Sequence, residues 1–375
     1  MPYAEHCRRL DEDMTSGGRW PERSPWTREA VRDLPRHEFA PDRLWDWDGE
    51  RYAAVDRTID PHRWADLVYA GPSASAVTQV TEGRATSSLS CPAIVVDMLD
   101  SLMLEPGHRV LELGTGTGWN AALLAHRAGP GRVVSVELDA RLAAAARRTL
   151  AAAGAEATVE TGDGAKGRPA AAPYDRVVST YAVDEVPWAW VEQTRPGGRI
   201  VTPWGRLGHV ALTVADDGAS ATGWMQGLAT FMPTRGTDQG RTWHQVRGDG
   251  TPTEHPLDHD PRPLHEDRNL LFALRVVLPD VQLASRSDER ATTVWAHDGR
   301  SSWATLTAPD HGPAKVYRGG PRRLDEEIEH ARQRWADAGA PGLYDFGMTV
   351  TPHRQFVWSG DPATGPRWAR ALSGK

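Results

Sequence analysis

Three groups of residues in this chain have the types and spacing to do chemistry. Gly114, Gly116 and Gly118 stand two apart in "VLELGTGTGWN", directly after a branched apolar run that contains Glu112. Two acids follow: Glu137 closes "RVVSVE", the next apolar run, and Asp163 lies in "TGDG". Upstream, Ser88 and Ser90 sit in "TSSLSCP", just before an apolar stretch with helical spacing.

Glycines after a strand let the backbone turn sharply and let a ligand approach the main chain. A dinucleotide turn needs the order G-x-G-x-x-G, with phosphates resting on the helix N-terminus. Here the order is E-x-G-x-G-x-G and position 119 is tryptophan, which suits a ligand without a pyrophosphate. The reading is S-adenosylmethionine, with S-adenosylhomocysteine as product. Glu112, Gly114, Thr115, Gly116, Thr117 and Gly118 form its turn. Glu137, with Leu138 beside it, is expected to bind both ribose hydroxyls, close to the offset of about 20 residues for such an acid. Asp163, followed by Gly164, is expected to accept from the adenine amino group. The bland alternative is a strand-to-helix turn with incidental acids. For Ser88 and Ser90 the residue types alone favour a helix N-cap or ST-turn before "PAIVV".

These residues must be positioned by the elements around them. Apolar spacing predicts a helix over "PAIVVDMLDSLM", a buried strand Arg109–Leu113, a helix Asn120–Ala128 and a second strand Arg132–Glu137. A helix Ala140–Ala153 stopped by Gly154 follows, then strands in "ATVETGDG", "YDRVVST" and "PGGRIVTPWG". Near-continuous apolar strands alternating with helices argue for an α/β fold with a doubly wound, mostly parallel Rossmann-like sheet. Ligands in such sheets bind at the carboxyl ends of the strands, where all these acids fall. After Gly205 the pattern changes to hairpins, at "HVALTVADDGASATGWMQ", "TTVWAHDGRSSWATLTA" and "GMTVTPHRQFVWSG". Pro321–Ala338 reads as an amphipathic helix and residues 236–268 as a linker or irregular segment. The expected division is a helical or irregular, tryptophan-rich segment over residues 1–85, a catalytic core over 86–236 and a smaller α+β domain over 237–375. Within the first segment only a short helix near Arg28–Leu34 is expected.

Bulk properties exclude other classes. A chain of 375 residues exceeds one ordinary core. A net charge of −7 offers no broad basic face, so no nucleic-acid partner is expected. Two cysteines, Cys7 and Cys91, cannot build a disulfide framework, which fits a reducing cytoplasm. The charged N-terminal stretch lacks the apolar core of a signal peptide, and no apolar run is long enough to span a bilayer, so no membrane partner is expected. The expectation is a cytoplasmic monomer.

At "VRDLPRHEFAP", "TSSLSCP", "LELGTGTGWNAALLA", "GRVVSVELD", "TGDG" and "DEVPWAWVEQTRPGGRIVTPWG", continuing to about "FMPTRG", the chain resembles the protein-L-isoaspartyl O-methyltransferases. The motifs run in the family's order from Val31 to about Gly236. The resemblance implies that Ser90 places its hydroxyl at the active site and that Ser88 lies close to cofactor and substrate. It implies a peptide carboxylate as methyl acceptor. The chain departs from the family in its long C-terminal extension, in Cys91, where Gln or Ala is common, and in lacking a tyrosine after "GDG". The extension resembles a subgroup found with ribosomal natural-product peptides of the graspetide type. For that subgroup the implied acceptor is an aspartate of a cyclised precursor peptide, whose ester closes to a succinimide (aspartimide) or goes on to isoaspartate. The alternatives are repair of isoaspartate in damaged proteins, and a non-catalytic scaffold that binds S-adenosylmethionine.

Other features have plainer readings beside the functional one. Trp45, Trp47 and Trp64 either line a peptide groove or pack the N-terminal segment. His255, His259 and His265 lie among aspartates, but two prolines break the spacing and no metal is expected. Trp295 and Trp303 flank a turn as candidate cross-strand neighbours.

Overall fold

The computed structural model describes residues 3–205, 207–235, 240–249 and 252–370. The chain divides into two compact units, one holding residues 1–235 and 349–355 and the other residues 236–348 and 356–370.

In the first unit, helices α1 (Ala4–Ser16) and α2 (Trp26–Asp33) precede strands β1 (Arg43–Trp47) and β2 (Tyr52–Asp56), helix α3 (Pro61–Val68) and the hairpin β3 (Ala76–Thr81) and β4 (Arg84–Leu89). The four strands form a small sheet in the order β2-β1-β3-β4. Residues 1–85 thus hold, beside the helical and irregular stretches their composition suggests, a small sheet that it does not announce. The expected boundary after residue 85 falls inside β4, whose residues are hydrogen-bonded to β3. Asp60 starts α3 by accepting from the Arg63 N–H, with Pro61 in the first turn, where its missing donor costs nothing. Trp64 on α3 is fully buried and donates its indole N–H to the Pro41 carbonyl at 2.9 Å, so its role is packing. Trp45 is half-buried on β1, and Trp47 is exposed against Tyr52.

Helix α4 (Pro92–Leu102) then leads to β5 (Val110–Leu113), α5 (Trp119–Ala128), β6 (Val133–Glu137), α6 (Ala140–Ala152), β7 (Ala157–Thr161), β8 (Tyr174–Ser179), α7 (Trp188–Glu192), β9 (Thr194–Trp204), β10 (Gly208–Val214) and β11 (Ala221–Leu228). These seven strands lie in the order β11-β10-β9-β8-β5-β6-β7. Strands β5 to β9 pair in parallel, and β10 and β11 are added antiparallel. Strand β5 is buried at every position, as a central strand covered by helices on both faces must be. The order reverses at β5, so the crevice between the ends of β5 and β8 is the sheet's switch point.

The second unit contains α8 (Trp243–Arg247), β12 (Thr253–Pro256), α9 (Pro263–Glu266), α10 (Arg268–Val277), β13 (Gln282–Ser287), β14 (Ala291–His297), β15 (Trp303–Pro309), β16 (Lys315–Gly319) and α11 (Leu324–Asp337). Its five strands are antiparallel in the order β12-β16-β15-β14-β13, and Leu270, Leu274, Val294, Leu306, Val316 and Ile328 build its core. The segment read as a linker thus holds two short helices and an edge strand, although residues 236–239, 250 and 251, including the expected boundary at 236, lie outside the described residues. Trp303 pairs with His297 across the hairpin, not with Trp295, whose partner is Thr305. His265 bonds Ser285 and His259 lies 3.8 Å from Glu329, and among the described residues no acid, histidine and cysteine group is arranged to hold a metal. No helix of the described residues is long and apolar enough to cross a membrane.

The return of the chain to the first unit has a structural consequence. Gln355, 1% exposed, accepts the Val186 N–H at 2.8 Å. Gln355→Leu leaves that buried donor unpaired, and should lower the stability of the first unit by about 1–3 kcal/mol, read as a fall in its calorimetric melting temperature.

Candidate functional site

The site begins with the turn between β5 and α5. Gly114 has φ +93, and a Cβ there would lie 2.5 Å from Thr180 Oγ1 and 2.9 Å from the Tyr181 ring. Only glycine lets the ends of β5 and β8 approach this closely. Gly118, at φ +90, begins α5, and a Cβ on it would press on Leu150 of α6 at 3.3 Å. Gly118 therefore serves the packing of α5 on α6 and does not line the crevice.

Below the turn lies a buried polar chain. Asn120 donates to Glu112 Oε1 at 2.8 Å, Ser135 donates to Glu112 Oε2, and the Thr115 and Ser135 hydroxyls meet at 2.5 Å. Glu112 is wholly buried and absent from the crevice wall, which corrects its expected role as a ligand. Burial pushes its carboxyl up to about 7, against the pull of the Ser135 and Asn120 hydrogen bonds, and Glu137 adds to the rise.

Glu137 ends β6 with both oxygens engaged by backbone donors. Oε2 accepts from the Gly116 N–H at 2.9 Å and Oε1 from the Asp139 N–H at 3.0 Å. A carboxylate oxygen has more than one acceptor site, so this geometry orients the group and leaves capacity for ligand hydroxyls. Asp163 similarly accepts from the Ala165 N–H at 3.0 Å.

A cavity of about 310 Å³ opens here, within the first unit and large enough for a nucleoside-sized ligand. Its wall includes Gly114, Thr115, Gly116, Thr117, Glu137, Leu138, Asp163 and Gly164, and also Ser88 and Ser90. Helix α4 starts at Pro92 with Cys91 as its N-cap and no side-chain cap, so neither serine is occupied by capping. Among the described residues, neither serine hydroxyl bonds another protein group.

Among the wall residues that sequence reasoning did not single out, Thr180, Tyr181 and Arg235 have visible roles. Thr180 ties β8 to the turn by donating to the Gly114 carbonyl at 2.6 Å. Tyr181 lies against Gly114 and Gly164; burial, with Asp163 and Glu137 nearby, holds its phenol above the ordinary range, so it stays neutral. Arg235 donates to Gln79 at 2.8 Å, to the Thr86 carbonyl at 2.7 Å and to Asp139 at 3.3 Å, clasping the β3–β4 hairpin to the start of α6. Arg235 falls at the end of "FMPTRG", the only sequence signal that pointed to it.

The family model described as protein-L-isoaspartate(D-aspartate) O-methyltransferase matches residues 50–233. The protein-L-isoaspartate O-methyltransferase of Methanopyrus kandleri is 37% identical over 186 residues, covering 49% of this chain and 70% of the relative. That of Methanoculleus marisnigri is 38% identical over 208 residues, covering 54% and 80%. The chain belongs to this family. A solved structure titled protein-L-isoaspartate O-methyltransferase aligns over 98% of this chain and 99% of its own at 19% identity, with a TM-score of 0.49. Membership makes the chain an S-adenosylmethionine-dependent methyltransferase with the Rossmann-like fold of that family. The residues present fit that cofactor: an oriented carboxylate, a second acid and an open glycine turn share one cavity.

The buried Glu112 makes stability depend on pH. Unfolded, it ionises near 4.5; folded, it keeps its proton to about 7, so stability falls as pH rises across that window and then levels off. Glu112→Gln removes this dependence. Denaturation at about pH 4 and about pH 8 should show the variant gaining on the wild type by on the order of 3 kcal/mol.

Proposed function

We propose that the protein transfers a methyl group from S-adenosylmethionine to a side-chain carboxylate of a peptide, the isoaspartyl carboxylate being the class that family membership favours. The observation that carries this reading is that Ser88 and Ser90 share one cavity with Glu137 and Asp163. When bound, the cofactor supplies a methyl group already activated on a sulfonium. Glu137 would hold its ribose hydroxyls and Asp163 its adenine amino group.

A peptide carboxylate has a pKa of about 3.9–4.3 and is ionised at neutral pH, so the acceptor needs no strong base. What it needs is alignment and partial exclusion of water. The Ser90 hydroxyl, with no protein partner, can donate to one carboxylate oxygen and leave the other to attack. Ser88 is placed to support the same group from β4. The neutral Tyr181 lends the wall a donor without adding a charge that would repel the carboxylate.

One observation favours a narrower reading. The second unit, residues 236–348 and 356–370, lies outside the matched segment 50–233. A folded addition of this size suits a dedicated partner: an aspartate in a cyclised, ribosomally made precursor peptide of the graspetide kind. In that case the ester has methanol as its leaving group. The next residue's backbone nitrogen attacks the ester carbonyl, methanol departs, and a five-membered succinimide forms that persists or takes up water to give isoaspartate.

Labelled S-adenosylmethionine offered with a generic isoaspartyl peptide, and separately with a cyclised aspartyl precursor, separates these readings. Transfer to the isoaspartyl peptide alone supports the broader one; transfer to the precursor alone supports the narrower. Transfer to neither overturns the proposal. Ser90→Ala should keep its affinity for S-adenosylhomocysteine while kcat falls about 10–100-fold, the loss of one hydrogen bond to a charged group. Wild-type kcat in that variant would remove Ser90 from the mechanism.

A further inference from the structure

Tyr181, two residues beyond the end of β8, is held by its main chain and by its ring. Its N–H donates to Ser179 Oγ at 3.3 Å, and its carbonyl accepts from the same hydroxyl at 2.8 Å. Ser179 is fully buried, so the backbone here is pinned from below. The ring lies on Gly114, where a Cβ would meet it at 2.9 Å, and Trp190 packs on it edge-on with centroids 6.4 Å apart. Trp190 is fully buried too, and donates its indole N–H to the Gly164 carbonyl at 2.8 Å.

The hydroxyl is the part left over. It lies against Gly164, where a Cβ would collide with it, so only glycine admits the tyrosine there. Among the described residues it has no hydrogen-bond partner, and it is not sealed in, since Tyr181 lines the glycine-turn cavity. Burial, with Asp163 and then Glu137 nearby, holds the phenol above its ordinary range, so it keeps its proton at neutral pH. A fixed, neutral donor thus opens into the cavity beside the residue that follows Asp163.

The groups around it indicate what that donor meets. An ionised carboxylate only accepts. Asp163 Oδ1 takes the Ala165 N–H at 3.0 Å, and Oδ2 bonds no other described residue. An adenine that gives its amino group to this acid also brings ring nitrogens, which accept and cannot bond a carboxylate. Two amides close by are already engaged, Ala165 N–H by the Asp163 side chain and Lys166 N–H by the Asp163 carbonyl at 3.0 Å. The Tyr181 hydroxyl has the missing polarity, and a buried acceptor left without a donor is costly.

We propose that Tyr181 is a cofactor-recognition residue, whose hydroxyl donates to a ring nitrogen of the adenine that Asp163 holds by its amino group. The proposal rests on the adenine lying at Asp163 and adds the donor half of the base's recognition.

Calorimetric titration of the full chain with S-adenosylhomocysteine tests it, beside the 1-deaza, 3-deaza and 7-deaza analogues and S-inosylhomocysteine. Tyr181→Phe keeps the ring and removes a hydroxyl that bonds no described protein group, so its melting temperature without ligand should match the wild type. Its affinity for S-adenosylhomocysteine should fall about 3–10-fold, the loss of one hydrogen bond. One deaza analogue should bind the wild type more weakly by the same factor, and should bind Tyr181→Phe no worse than it binds the wild type. Wild-type affinity for S-adenosylhomocysteine in Tyr181→Phe, or an equal loss with that variant for all three analogues, would overturn the proposal. S-inosylhomocysteine carries an oxygen in place of the amino group, and the wild type should bind it at least about tenfold more weakly. Equal binding of the two by the wild type would overturn the placement of adenine at Asp163, and the role of Tyr181 with it. Rejection of the inosyl compound, with undiminished S-adenosylhomocysteine binding in Tyr181→Phe, would overturn the role of Tyr181 alone.

Discussion

Everything at the crevice hangs on the Glu137 carboxylate meeting the Gly116 and Asp139 amides. One side chain thereby joins the end of β6, the turn after β5 and the start of α6. Each of these amides would otherwise lack a partner at an element's end, where backbone donors are costly to leave bare. The same contact fixes the direction in which the acid faces the cavity. Beneath it, the chain from Thr115 through Ser135 to Glu112 and Asn120 keeps the turn from shifting, because each member occupies the next one's bonding capacity. Placement of the cavity-facing acid rests on a second acid that faces nothing but protein.

The opposite wall is held differently. Ser88 lies near the end of a strand of the small N-terminal sheet, and Ser90 follows it into the turn before α4. The hairpin that leads to them is latched by Arg235, which reaches two of its residues and Asp139. Asp139 caps α6 and lies two positions from Glu137, so the arginine ties the hydroxyl side of the cavity to the carboxylate side. Arg36 adds a hold from behind through the Ser90 carbonyl. The hydroxyls are thus positioned by cations acting around them, while their own oxygens stay available.

How much of this could be read from residues alone follows from how local each feature is. Strands β5, β6 and β8 announce themselves because a parallel sheet covered on both faces needs unbroken apolar runs, and α6 because alanines end at a left-handed Gly154. The N-terminal sheet was hidden. Its strands carry exposed polar side chains, and β1 meets β3 only across the intervening β2 and α3, so no short window shows the pairing. Strand β12 was hidden for the same reason, since two helices and three strands separate it from its partner β16. Within the site, the spacing singled out Glu137 and Asp163 and the family resemblance singled out the serines, all of which line one cavity, but an acid in or at the end of a strand looks the same whether it faces a cavity or a neighbour. Burial, which is a property of the whole fold, separated Glu112 from Glu137. Tyr181 and Arg235 carry no periodic signal, and only the approach of β8 to the glycine turn and of residue 235 to the hairpin gives them a role.

The placement of Gln355 has a bearing on how the protein is made. The chain grows from its N-terminus, yet the amide of Val186 must wait for a partner 169 positions later. A ribosome will have released everything up to that glutamine before the methyl-transfer unit can close this buried hydrogen bond. During that interval the intervening segment, 236 to 348, has time to organise by itself. The second unit waits as well, since its residues 356–370 follow Gln355, so neither unit has all of its parts until that stretch has been made.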